Sequence, residues 1–452
     1  MGAGGWTRRG ALAGLGALGL AASAMARLSG GAARDFHDCA PRPPLGWNSW
    51  DSFGPTIDEA QARATAAIMA EKLLPHGYDI FTIDIQWYEP GAASYTYRAG
   101  AELAMDRWGR LLPAPNRFPS SAGGNGFRPL ADFVHRLGLK FGVHLLRGVP
   151  RLAADRDLPI LGTSWRCGGI ADRVNVCQWN SDMYGVDMSK PGAQAYYDSV
   201  FALLASWGVD FVKVDDIARP YHRNAPEIEA VRRAIDRSGR AMVLSLSPGE
   251  TPLDAADHVA AHANMWRISD DFWDEWRLLE AQFARLADWA PHRRPGAWPD
   301  ADMLPLGLLS LGQRHTRFTT DEQRTMMTLW AIARSPLIMG GDLRALDAAT
   351  LALLTNDAVL GVNQHSRDNR ELTRSDRLVT WVARAEGSDD SYLALFNLAD
   401  EPHEIHFDPA AIGIRGPASV ADLWAGSSPV RHDEPFVVTL PAHGAGLYGI
   451  SA

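Results

Sequence analysis

Four short apolar runs in this chain end in acid: Ile83-Asp84, Lys213-Val214-Asp215-Asp216, Arg267-Ile268-Ser269-Asp270-Asp271 and Trp298-Pro299-Asp300-Ala301-Asp302. Carboxyl groups gathered from separate segments can divide labour. One, ionised, attacks or stabilises an electron-poor carbon, and another, protonated, delivers a proton to a departing oxygen. Glycosidic bond cleavage needs that pair. Lys213 and Arg267, each a few residues ahead of an acid, can keep a neighbouring carboxylate ionised and hydrogen-bond sugar hydroxyls. Trp50, Trp87 and Trp298 offer flat apolar faces for a pyranose ring. Asp216, Asp270 and Asp300 read instead as helix caps or turn formers. Asp84, Asp215, Asp271 and Asp302 could also ligate a divalent cation. That reading ranks lower, because His144 stands alone and no run pairs His with acid at ligand spacing, so no metal is expected.

Residues so far apart in sequence need a scaffold that brings run ends together. Eight strand-like runs, at 44–53, 80–87, 140–146, 210–216, 241–248, 265–271, 296–303 and 335–343, alternate with amphipathic segments. This pattern predicts repeated βα units. Helices are expected over 58–72, 192–207 and 321–333. Eight such units predict a (β/α)8 TIM barrel over residues 41–363, whose C-terminal strand ends meet in one bowl. The segments 88–128 and 148–183, rich in Gly, Pro and aromatics, would form the rim. Short alternating runs at 378–384, 391–397, 403–407, 435–440 and 446–450 predict a C-terminal antiparallel β-sandwich domain, 366–452, after a linker near 363–368.

Composition narrows the class. With 46% apolar and 21% charged residues, the 452-residue chain is neither disordered nor membrane-embedded. A formal net charge of −9 without a basic run argues against nucleic acid or an anionic membrane as partner. An oligosaccharide or glycoside substrate fits better. Residues 1–26 read as a signal peptide: Arg8-Arg9, an apolar run over 10–24, and Ala22, Ala24 and Ala26 around a cleavage site. The paired arginines resemble a twin-arginine signal, and the mature protein is expected to be periplasmic or secreted. Three cysteines are too few for a disulfide framework, and Cys167 and Cys177 could be bridged or free.

At these same residues the chain resembles glycoside hydrolase family 27, the α-galactosidase or melibiase family. Pro43-Pro44-Leu45-Gly46-Trp47-Asn48-Ser49-Trp50 is similar to the family's opening strand, Lys213-Val214-Asp215 to its nucleophile motif, and Trp266-Arg267 with Asp271 to its acid/base motif. Trp298 through Leu304 and Ser335 through Leu343 resemble its last two barrel strands. The resemblance implies a retaining exo-glycosidase of α-galactosidase type that needs no cofactor, with Asp215 as nucleophile and Asp271 as acid/base. Trp50, Asp84, Lys213, Arg267, Asp302, His144 and Ser247 would contact the sugar. Three positions depart from the family's pattern: Ile85 stands where a second Asp is usual, Ser247 where a Glu is usual, and His144 where a Tyr is usual. Loss of the second Asp predicts weaker recognition at C6 and appreciable activity on β-L-arabinopyranosides, with Glu250 able to swing in beside Ser247. Alternatives of other specificity are an α-N-acetylgalactosaminidase or an isomaltodextranase-like enzyme. A non-catalytic carbohydrate-binding protein would keep the tryptophans and lose the acids, which are present.

Overall fold

The computed structural model describes residues 35–452, so the stretch read as an export signal lies outside the described residues. Eight parallel strands form the central sheet: β1 (Leu45–Asn48), β2 (Ile80–Ile83), β3 (Lys140–Leu146), β4 (Phe211–Asp215), β5 (Val243–Leu246), β6 (Met265–Arg267), β7 (Trp298–Asp300) and β8 (Leu337–Met339). Within β1 to β7 each strand pairs with the next in sequence, and β8 returns to pair with β1. The barrel closes between the ends of β7 and β8, where Leu304 N–H donates to the Ile338 carbonyl at 2.8 Å. All eight expected runs contain strands; β3 fills its run, and the other seven are shorter because the last residues of a run turn over the barrel's rim.

The helices follow from capping as well as from periodicity. Helix α1 (Glu59–Lys72) begins at Asp58, whose carboxylate accepts from Gln61 N–H while the Gln61 side chain reaches back to Asp58 N–H. Thr319 and Glu322 start α6 (Thr320–Ala333) in the same way. Between them lie α2 (Arg128–Arg136), α3 (Ala193–Trp207), α4 (Tyr221–Ser238) and α5 (Trp276–Trp289). Three buried indoles then tie strand ends to one another. Trp47 Nε1 donates to the Gly341 carbonyl, Trp87 Nε1 to His144 and Trp330 Nε1, from α6, to Asp302. Two tryptophans offered as sugar platforms are therefore structural. Trp87 is fully enclosed among Tyr88, Phe127 and Trp207, and Trp298 donates to the Ala40 carbonyl inside a separate core cluster with Met265 and Ile338.

The C-terminal region is a six-stranded antiparallel sheet of β9 (Ser366–Arg374), β10 (Leu378–Ala385), β11 (Ser391–Asn397), β13 (Ala418–Asp422), β14 (Val430–His432) and β16 (Ala445–Ser451). A two-stranded sheet, β12 (His403–Phe407) with β15 (Phe436–Leu440), covers one face around Leu393, Phe407, Phe436 and Tyr448. The expected linker is not a free segment. Asn363 is fully buried and its side chain donates to the carbonyls of Trp330 and Ser335, while Arg334 caps the carbonyls of Asn363 and Gln364. Cys167 and Cys177 are buried free thiols, both pushed up to about 12 by burial. Among the described residues no helix is long and apolar enough to cross a membrane.

Removing the Asn363 amide leaves two buried carbonyls short of a donor, which costs about 1–3 kcal/mol per unpaired group. Asn363→Ala should lower the denaturant midpoint accordingly without changing the far-ultraviolet circular dichroism at low denaturant, whereas an unchanged midpoint would show that the Asn363 amide does not hold the junction.

Candidate active site

The expected carboxylates do converge. Asp84, Asp215, Asp271 and Asp302 line one cavity of about 240 Å³ at the C-terminal ends of the strands, together with Trp50, Ile85, Lys213 and Arg267. Lys213 points inward from the middle of β4, and its Nζ lies 3.0 Å from Asp84 Oδ2. Asn48 also donates to that oxygen, and Ile85 N–H donates to Oδ1. Burial opposes charge on Asp84, but Lys213, His144 and these donors outweigh it and hold its acidity below the ordinary carboxylate range. Arg267 divides its guanidinium between two acids, with Nη1 2.8 Å from Asp302 Oδ1 and Nη2 3.1 Å from Asp271 Oδ1. Phe272 N–H completes the Asp302 site.

Asp215 and Asp271 sit in unlike surroundings. The Asp215 side chain is only 14% exposed and Asp271 is 60% exposed, at the rim. Asp215 accepts from Asp216 N–H at 2.8 Å and from His144 Nε2 at 3.2 Å. A carboxylate can only accept, so Nε2 carries a proton. Burial works against ionisation here, yet the His144 hydrogen bond, the Lys213 charge and the Asp216 N–H hold Asp215 well below its usual range. Asp216 presents that N–H from a left-handed backbone conformation, φ 57°, fixed by Arg147, whose guanidinium pairs with the Asp216 and Glu227 carboxylates at 3.0 and 2.9 Å. Two cations already occupy the space among the acids, and a divalent metal would have to displace them.

Several residues fall elsewhere than the sequence suggested. His144 and Ser247 are not in the lining. His144 is fully buried behind Asp215 and supports that carboxylate rather than touching a ligand, and Ser247 lies beneath the floor with its Oγ unpartnered. Glu250 does not swing in, because Arg285 holds its exposed carboxylate outside the cavity. Asp270, read as a turn former, lines the mouth and pairs with Arg219 at 3.0 Å. The lining also includes Asp51, Tyr97, Trp179 and Trp273, which the sequence analysis did not single out. Tyr97 and Trp179 come from the two rim segments, and Tyr97 stacks parallel to Trp50 at 6.3 Å. Their aromatic, Gly-rich context was the available signal.

The sequence profile described as alpha galactosidase A matches residues 180–365, and that of the alpha galactosidase C-terminal beta sandwich domain matches 375–450. A β-L-arabinopyranosidase of family 27 from Geobacillus stearothermophilus is 47% identical, with a TM-score of 0.90 over 92% of this chain and 98% of that one. The chain belongs to glycoside hydrolase family 27. Another structure at 47% identity, from Bacillus halodurans, is described provisionally as an α-N-acetylgalactosaminidase; its TM-score is 0.82, over 91% of this chain and 97% of that one. An α-galactosidase of Coffea arabica is 29% identical over 90% of this chain and 93% of its own length. The family 27 fold thus accounts for both parts of the molecule, and a glycosidase activity on a sugar substrate follows. Its members' differing sugars leave the glycone to be argued from the cavity.

Behind the cavity Asp300 is buried, with burial and the nearby Asp302 pushing its carboxyl up to about 7 against the pull of Arg267. The native state therefore holds a proton there that the unfolded chain, at an ordinary carboxylate acidity near 4, releases. Stability from this group is complete below pH 4 and is lost as pH rises through 7. Asp300→Asn cannot titrate, so its stability relative to wild type should improve between pH 4 and 7 and then level off; paired denaturant titrations at pH 5 and 8 that show a constant difference would contradict the assignment.

Proposed function

We propose that the chain is a retaining exo-glycosidase whose preferred glycone is β-L-arabinopyranose, with α-D-galactose as a poorer substrate. The observation that carries this choice is Ile85, buried in the cavity wall directly after Asp84. β-L-Arabinopyranose has the ring of α-D-galactose without C6. An apolar wall beside one carboxylate suits a ring with nothing to offer there, whereas the hydroxymethyl group of galactose would lose a hydrogen-bonding partner. The likeness to the Geobacillus stearothermophilus enzyme, also solved in complex with arabinose, supports the same reading. A cavity of about 240 Å³, at the small end for ligand sites, suits a single terminal residue.

In the proposed reaction the Asp215 carboxylate attacks the anomeric carbon as the glycosidic C–O bond breaks, and Asp271 gives its proton to the leaving oxygen. The exposure of the two groups supports these roles: the buried, ionised acid faces the ring, and the exposed acid stands where the leaving group departs into solvent. Water then attacks the glycosyl ester, Asp271 takes its proton, and Asp215 is released with the anomeric configuration retained. Lys213, tied to Asp84, holds that acceptor of the glycone ionised throughout, and Arg267, tied to Asp302, opposes the burial that raises the Asp302 carboxyl.

Asp215→Ala and Asp271→Ala should each lower turnover of an unactivated glycoside by about 10³-fold or more. Azide should rescue the two variants with products of opposite anomeric configuration. An inverted product from the wild type would refute the mechanism. For the glycone, the ratio of kcat/KM on nitrophenyl β-L-arabinopyranoside to that on nitrophenyl α-galactoside should exceed one in the wild type. Ile85→Asp restores one charged hydrogen bond, about 1.5–3 kcal/mol, and should move the ratio toward galactose by about 10- to 150-fold. A wild-type preference for galactoside that Ile85→Asp leaves unchanged would mean that another wall reads C6.

A further inference from the structure

One carboxyl group in the cavity has no part in the chemistry above. Asp51 follows Trp50 at the end of β1, is 3% exposed, and lines the same cavity as Asp84, Asp215, Asp271 and Asp302. Those four acids are each held by a cation, an imidazole or backbone N–H groups. Asp51 differs, since its Oδ2 is sealed from solvent without a hydrogen-bond partner among the described residues. That oxygen lies against Gly340 of the β8 end, so closely that a Cβ at residue 340 would stand 1.9 Å from it. Glycine at 340 therefore makes the room in which the carboxyl sits, and Oδ1 is the oxygen the cavity can reach. The backbone carbonyl of Asp51 is fixed separately by Tyr95 Oη at 2.9 Å and Ser310 N–H at 2.8 Å, so the residue's position does not depend on its side chain.

A buried, unpaired carboxylate is costly, whereas a neutral carboxylic acid is tolerated and can donate. Burial raises the Asp51 carboxyl well above the ordinary range, and the charges of Asp302, Asp271 and Asp84 add to this against the opposing pull of Lys213. A glycone entering this cavity meets carboxylates that only accept and two cations already committed to them. A ring hydroxyl has two lone pairs to satisfy as well as a proton to give. We infer that the Asp51 carboxyl is a hydrogen-bond donor reserved for a ring hydroxyl of the glycone, and so a specificity-determining residue of the site. The inference rests on the glycosidase reading above but not on the choice between arabinose and galactose.

The test uses full-length enzyme with nitrophenyl β-L-arabinopyranoside and its 2-, 3- and 4-deoxy analogues. Asp51→Ala removes the donor and should lower kcat/KM on the parent glycoside by about 10- to 100-fold. On the one analogue that lacks the partnered hydroxyl, wild type and Asp51→Ala should be alike within about twofold. Asp51→Asn keeps both shape and an N–H donor and should stay within about threefold of wild type on the parent glycoside. Equal loss in Asp51→Asn and Asp51→Ala would show that the residue acts as a carboxylate and overturn the inference, as would a loss in Asp51→Ala of the same size on all four glycosides. If Asp51→Ala is not recovered folded, Asp51→Asn against the wild-type deoxy series decides the point by the same criterion. Wild type inactive on both the arabinopyranoside and nitrophenyl α-galactoside would instead overturn the reading of an arabinose- or galactose-type glycone, and this inference with it.

Discussion

Two buried cations among four carboxylates set the terms for the whole molecule. A carboxylate taken from water into a barrel's rim loses several kcal/mol of solvation unless paired, and so does an ammonium or guanidinium group. Lys213 between Asp84 and Asp215, and Arg267 between Asp302 and Asp271, are the pairing that makes the cluster possible. Burial alone would drive Lys213 toward its neutral form, but the carboxylates of Asp84, Asp215 and Asp302 more than reverse this. Such compensation works only if the partners arrive in register, since a misplaced charge in this setting costs more than it returns. The strand order and the parallel pairing that brings Leu146 opposite Asp215 and Arg267 opposite Asp300 are what deliver that register.

The scaffold shows how register is enforced beyond the ladder of backbone hydrogen bonds. Trp47, Trp87 and Trp330 each bury an indole and aim its single donor at a carbonyl on a strand end next to the site. A buried indole N–H without a partner would be a penalty, so each ring both fills the core and fixes the position of a neighbouring backbone segment. The C-terminal sheet extends the same control. Helix α6 meets it through Thr325, which donates to the His443 carbonyl, and through Trp424, whose indole donates to Thr328. The His443 ring stacks at 3.7 Å on Trp276 at the start of α5, the helix that follows the Asp271 loop.

Where the sequence was legible, and where it was not, follows from which physical signal each residue emits. Acids at the ends of apolar runs announce themselves because nothing in a strand's interior tolerates them, and Asp84, Asp215, Asp271 and Asp302 all line the cavity. All eight barrel strands were visible because short apolar runs alternate with amphipathic segments. Trp87 and Trp298 were misread because a tryptophan's type does not tell which way its strand faces at that residue. His144 was seen as a sugar contact although it stands behind Asp215, a difference of one layer that spacing cannot encode. Strand β9 escaped notice because Ser-Arg-Asp-Asn-Arg-Glu-Leu-Thr-Arg is an edge strand with two irregularities in its register and almost no apolar alternation. Asp51 followed a motif already explained by Trp50, and its isolation from any donor is a fact of three dimensions only.

The cavity also shows why a change of sugar can be made without touching the reaction. In the reaction proposed above, Asp215, Asp271 and their supports serve the anomeric carbon and the leaving group, while Asp84 and Ile85 are assigned to the far side of the ring. Substituting an apolar side chain for a charged one at the far side removes a favourable contact with a hydroxymethyl group but builds no strong repulsion against it. Apolar walls reject an added hydroxyl weakly, by about 10²-fold, whereas sites built to bond a hydroxyl reject its absence far more severely. An enzyme with Ile85 should therefore prefer the ring that lacks C6 while still admitting the ring that has it. A family 27 barrel with an aspartate there would discriminate the other way and more sharply. The asymmetry makes residue 85 a one-way relaxation of selectivity, which a chain can acquire by a single substitution while its catalytic charges stay balanced.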